Sequence, residues 1–118
     1  MSVQNNKLIA LFMGAEDMQT YLSFKHIKHD SLPIKGQWYY MFTELQYDKS
    51  WDWLMPVVEK IEQLLPDDSI ITIEHKRCYI PTIYNEITIE GNADTKLRAT
   101  YNAVIGFIRW YNKNIKVT

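Results

Sequence analysis

The stretch Trp51-Asp-Trp-Leu-Met-Pro-Val-Val-Glu-Lys-Ile-Glu-Gln-Leu-Leu65 constrains the chain most. Leu54, Val57, Val58, Ile61, Leu64 and Leu65 recur at spacings of three and four, which places them on one stripe of a 3.6-period helix. Glu59, Lys60, Glu62 and Gln63 take the other side, facing water. Pro56 fixes where such a helix can start, because proline lacks the N–H that an interior position must donate while the first turn has no acceptor for it. The regular helix is therefore expected to begin near Asp52 or Trp53, with Pro56 in or just after the first turn. Ser50 or Asp52 can cap it, and Leu65-Pro66 ends it, since the residue before a proline is pushed out of the α region. Trp51 and Trp53 stand two apart and cannot share one helical face. One is expected in the core and the other as a hydrophobic staple or surface plate, or else lining a pocket or an interface.

With 118 residues the chain is expected to form one domain over 1–118. The single cysteine, Cys78, excludes an internal disulfide and fits a reducing cytoplasm. No apolar run approaches the length of a membrane span, and the first residues carry no signal-peptide pattern. A net charge of −1 provides no global field for nucleic acid. That charge is unevenly spread: residues 1–43 carry +1, 44–74 carry −6 and 75–118 carry +4.

Taken in order, residues 4–13 read as a short helix capped by Asn5 or Asn6, with Leu8, Ile9, Phe12 and Met13 on its apolar face and Gly14 at its end. Met18, Tyr21 and Leu22 suggest another helical turn, followed by a loop through Pro33 and Gly36. Residues 37–47 read as a strand, with Trp38, Tyr40 and Phe42 on one face and Tyr39, Met41 and Thr43 on the other. Ser69–His75, Cys78–Tyr84 and Asn85–Glu90 form a meander, interrupted at Pro81 and broken at Gly91-Asn92. A last helix, capped by Asn92 or Asp94, runs to about Asn112. Leu97, Tyr101, Val104, Ile108 and Tyr111 form its stripe, widened by Ile105, with Phe107 and Trp110 off it. The fold class is α+β: a small, mainly antiparallel sheet packed with two longer helices and a short N-terminal helix.

Catalytic signatures are absent from the sequence. There is no phosphate-cradling glycine loop, nucleophile elbow or zinc-protease motif. His75 and Cys78 would point to opposite faces of an extended strand. His26 and His29 lie three apart beside Asp30, and His75 with Cys78 offers a second pair, but both pairs are irregular for a metal site. No metal and no cofactor is expected. The chain does carry twelve Trp and Tyr residues interleaved with cations. Aromatic plates stack on planar ligands, and Arg or Lys holds phosphate. The candidate ligand-binding residues are Trp38, Tyr40, Trp51, Lys76, Arg77, Tyr79, Arg98, Tyr101, Arg109 and Trp110. The same side chains serve equally well as core or as protein-interface anchors.

The segments Asn6–Gly14, Ser50–Glu62 and Tyr101–Asn112 (Tyr-Asn-Ala-Val-Ile-Gly-Phe-Ile-Arg-Trp-Tyr-Asn) resemble a group of small uncharacterised proteins from Bacteroidetes bacteria, their phages and prophages. The resemblance covers about a third of the chain and carries no catalytic residue with it. It implies a protein that acts stoichiometrically, by sequestering a signal or blocking a host protein.

The leading expectation is a non-enzymatic binding protein for a small anionic planar ligand, such as a nucleotide-derived immune signal. A protein–protein interaction module that inhibits a host factor stands second. A metal-dependent enzyme built on His26, His29 and His75 stands third. A homo-oligomer is expected, because aromatic surface is in excess on strand 37–47 and on the last helix.

Overall fold

A computed structural model of the chain describes residues 2–17, 19, 21–23, 39–82 and 87–115. The architecture is α+β. Three helices accompany two three-stranded antiparallel sheets among the described residues, so the strands are divided between two sheets. The chain divides into two compact units, residues 1–57 and 58–118, and the boundary falls inside the helix built on the tryptophan–proline segment.

In the first unit, helix α1 (Ser2–Phe12) buries Ile9, Ala10 and Phe12. Gly14 takes φ 99°, the Ala15 N–H reaches the Ala10 carbonyl (3.0 Å) and the Gly14 N–H reaches Leu11 (3.0 Å). These are the two bonds of a Schellman ending, as the glycine implied. Asn6 is not a cap. It lies inside α1, buried, and its side-chain amide donates to the Leu45 carbonyl (3.1 Å) and to Asp48 Oδ1 (2.9 Å). The segment after α1 is extended rather than helical: β1 (Glu16–Asp17) pairs with β2 (Tyr21–Ser23), and β2 pairs with β3 (Tyr39–Met41). Between β1 and β2, Gln19 adopts φ 76° and its N–H bonds Asp17 Oδ1 (2.9 Å), which is the local chemistry of a turn.

Strand β3 is shorter than the 37–47 pattern suggested. Phe42–Glu44 turns as a 3₁₀ helix, with the Glu44 carboxylate accepting the Met41 N–H at 2.6 Å. The aromatic alternation is thereby broken at Phe42, which lies instead under Lys7 Nζ, 4.7 Å from the ring centre. Helix α2 (Trp51–Leu64) starts one residue earlier than expected. The Ser50 carbonyl accepts from Trp53 (3.2 Å) and Leu54 (3.0 Å), and Pro56 falls in the second turn, where its ring removes the donor for the Asp52 carbonyl. Trp53 is buried and Trp51 half-buried, the division that their spacing required.

In the second unit, β4 (Thr72–Ile73), β5 (Arg77–Pro81) and β6 (Thr88–Asn92) form a sheet with β5 in the middle, and α3 (Lys96–Asn114) packs on β5 and β6. Cys78 and Ile80 of β5 and Gly91 of β6 are buried on the side facing this helix. Gly91 does not break its strand. It lies within β6 because a Cβ there would run into the Ala99 carbonyl oxygen and the backbone of Ala103.

Pro81 explains the shortness of β4. The Glu74 N–H donates to the Arg77 carbonyl (2.7 Å), so the hydrogen-bonded pairs toward β4 fall at Arg77, Tyr79 and Pro81. Extending the register places Ile70 opposite Pro81, which has no N–H to give. The ladder stops at Thr72, and Ile70 is left 74% exposed.

Helix α3 is capped by Thr95, whose side chain accepts the Arg98 N–H, and not by Asn92 or Asp94. Its buried arc is wider than the sequence stripe. It includes Ala99, Thr100, Ala103 and Phe107 as well as Tyr101, Val104, Ile105 and Ile108. Phe107, expected off the core, is fully buried. The remaining wedge exposes Arg98, Asn102, Arg109 and Lys113.

Candidate ligand-binding face

Of the candidate residues, Tyr40 and Trp51 belong to the first unit, and Lys76, Arg77, Tyr79, Arg98, Tyr101, Arg109 and Trp110 to the second. Trp38 lies outside the described residues, as do His26 and His29. Tyr101 is fully buried and Tyr40 is 3% exposed, so neither offers a ring face to a ligand. Tyr101 closes the core under α3, with the Arg98 guanidinium 5.0 Å from its ring centre. Tyr40 and Tyr47 meet Trp53 edge-on at 5.3 and 5.1 Å, a packed aromatic trio. Burial raises the phenol pKa of both tyrosines, which keeps them neutral. Trp51 and Trp110 are half-buried on different helices. Arg98 and Arg109 are exposed on α3, and Trp110 contacts Phe107 at 5.7 Å.

The cluster that does assemble is Lys76, Arg77 and Tyr79. A strand turns successive side chains to opposite faces. Since Cys78 and Ile80 face α3, Arg77, Tyr79 and Pro81 face away from it. Register then supplies neighbours: Tyr79 is paired with Thr72 on β4 and Glu90 on β6, Arg77 with Asn92, and Pro81 with Thr88. The Thr82 N–H bonds the Ile87 carbonyl (3.0 Å) and the Ala93 N–H bonds Lys76 (3.1 Å), so Tyr79 and Glu90 form a non-hydrogen-bonded pair. In such pairs facing side chains approach most closely. Tyr79 is half-buried in the middle of this face, while Thr72, Arg77, Thr88, Glu90 and Asn92 around it are exposed.

The neighbouring Tyr79 side chain, followed by the nearby carboxylates Glu90 and Glu74, raises the Arg77 pKa and favours the charged guanidinium. Lys76 and His75 occupy the two-residue turn beside it, both exposed. The face therefore offers an aromatic plate, a planar cation and a carboxylate within one three-strand width.

Glu90, Thr72 and Asn92 were not among the sequence candidates. Alternation placed Glu90 on the polar side of its strand, but only register shows that it stands beside Tyr79. Nucleophilic chemistry has no support at Cys78: burial pushes its thiol up to about 11, only partly offset by a hydrogen bond with Thr100. Among the described residues, no group of three or more His, Cys, Asp or Glu side chains could hold a metal ion. No described helix is long and apolar enough to cross a membrane. No protein-family model, curated protein or solved structure matches the chain.

Proposed function

We propose that this protein binds a small planar anionic ligand without transforming it, and that the outer face of the β4–β5–β6 sheet receives it. One observation carries the reading: Arg77 and Tyr79, two apart on β5, share that outward face, with Lys76 exposed in the adjoining turn. A base stacked on an aromatic side chain gains about 1–3 kcal/mol. A planar guanidinium meets a phosphate through two parallel N–H donors, which a lysine does not offer. A binder of this kind acts stoichiometrically, by holding a nucleotide-derived signal away from its receptor.

A second reading has its own support. Ile70 and Ile87, beside β4 and β6, are 74% and 53% exposed, which suits an interface with a host protein.

A thermal-shift panel of nucleotides, cyclic dinucleotides and nucleotide sugars separates the two. Ligand in hundredfold excess over its dissociation constant stabilises the folded protein by about 2.7 kcal/mol. One compound class is expected to raise the melting temperature by several degrees, and Tyr79→Ala or Arg77→Ala to abolish that rise. A flat response across the panel would favour the protein-interaction reading.

A further inference from the structure

The ligand face is not simply basic. Glu90 stands directly across from Tyr79 in a close-approach pair, and both Glu90 and Glu74 act on the Arg77 charge. A ligand that offered only negative charge would meet Arg77 and Lys76 along the strand from the tyrosine but a carboxylate beside it on β6. The fitting ligand stacks its ring over Tyr79, puts its anionic group along the strand toward Arg77 and turns a hydrogen-bond donor toward Glu90 on the neighbouring strand.

Among the common bases, guanine alone presents two adjacent N–H donors on one edge, the ring N1–H and the 2-amino group. A carboxylate accepts both in parallel. Adenine and cytosine each place a ring acceptor beside their amino group, where a carboxylate oxygen repels it. Uracil flanks its one N–H with two carbonyls.

We propose that Glu90 makes this face selective for guanine nucleotides, stacked on Tyr79 with the phosphate on Arg77. The inference rests on the binding face proposed above and adds the identity of the base. Thr72 and Asn92 border the same face on the two edge strands and supply neutral partners for the ribose.

The test is a calorimetric titration of guanosine 5′-monophosphate and adenosine 5′-monophosphate into the full chain and into Glu90→Gln, with Tyr79→Ala as control. A bidentate pair discriminates bases by a factor of about ten or more, so the wild-type protein is expected to favour the guanine nucleotide by that margin. Glutamine presents one acceptor and one donor, the pattern that adenine's amino group and ring nitrogen match. Glu90→Gln should therefore weaken guanine binding and strengthen adenine binding, reversing the order. Equal affinities in the wild type, or a guanine preference that survives Glu90→Gln, would overturn the role of Glu90 and leave the Tyr79 face standing, provided that Tyr79→Ala abolishes binding. Binding of neither nucleotide, or binding unaffected by Tyr79→Ala, would overturn the face itself.

Discussion

Gly91 and Gly106 look alike in sequence and differ sharply in what surrounds them. At Gly91 an added methyl meets helix backbone, the Ala99 carbonyl and Ala103, which cannot move without shifting α3 off the sheet. Overpacking against a rigid neighbour costs roughly 1–3 kcal/mol, and here the upper end applies, so Gly91→Ala should lose about 3 kcal/mol in urea unfolding. At Gly106 the methyl would approach only Ile89 Cγ2, a side-chain end that can turn aside, at 2.8 Å. Replacing a helical glycine by alanine returns about 1 kcal/mol of propensity, so Gly106→Ala should fall within about 1 kcal/mol of wild type.

Cys78 sets an alkaline limit at the same scale. Its thiol titrates at about 11 in the folded chain against an ordinary 9.0. A raised pKa contributes stability that is fully present below pH 9 and lost as pH climbs toward 11, because the unfolded thiol ionises first. The loss is about 3 kcal/mol. Denaturant midpoints measured from pH 8 to 11 should fall across that window, and the slope should flatten in Cys78→Ala.

Two prolines govern elements, and the sequence marked both. Pro56 sits a turn deeper than its chemistry prefers, leaving the Asp52 carbonyl without its helical donor. Pro56→Ala restores that N–H but frees the unfolded chain, and the balance should leave the protein more stable by about 1 kcal/mol. Pro81 ends the β4 ladder, so Pro81→Val should let the strand extend. Hydrogen exchange would then show a protected amide at position 81, bonded toward Ile70, where the wild-type chain has no amide at all.

Among the described residues β6 lies at the edge of its sheet, and that edge is already guarded. The Asn102 side-chain amide donates to the Asn92 carbonyl (3.0 Å), and Glu90 places a charge on the edge strand.

Helices were the most legible elements. Their apolar periodicity is long, so α1, α2 and α3 emerge from sequence with ends displaced by a residue or two. Short strands were not. The β1–β2 turn looked helical because Met18, Tyr21 and Leu22 fit a 3.6 period over too few residues to discriminate. The 37–47 strand looked long because nothing in Phe42-Thr-Glu44 announces that the Glu44 side chain bonds back to Met41.

At the scale of the whole molecule, the sequence made the aromatic content look like surplus surface. Among the described residues much of it is core: Tyr40, Tyr47, Trp53, Tyr101 and Phe107 are all buried. Of the candidate site, the pairing of Arg77 with Tyr79 on one strand face was readable from alternation. The contribution of Glu90 was not, because register between strands is long-range information that a local pattern does not hold. What remains exposed is distributed by sign: α3 presents Arg98, Arg109 and Lys113 and contains no acid, whereas the sheet face mixes Arg77 with Glu90. A purely electrostatic binder would use the α3 wedge and weaken steeply with salt, whereas a stacked ligand on the sheet face depends on salt only through its phosphate.

Backbone amide chemical shifts recorded during a nucleotide titration decide between these surfaces directly. The amides of Thr72, Arg77, Tyr79 and Glu90 are expected to shift together with one dissociation constant, while those of Asn102, Arg109 and Lys113 stay in place. Shifts confined to α3, with the β4–β5–β6 face unmoved, would contradict that expectation.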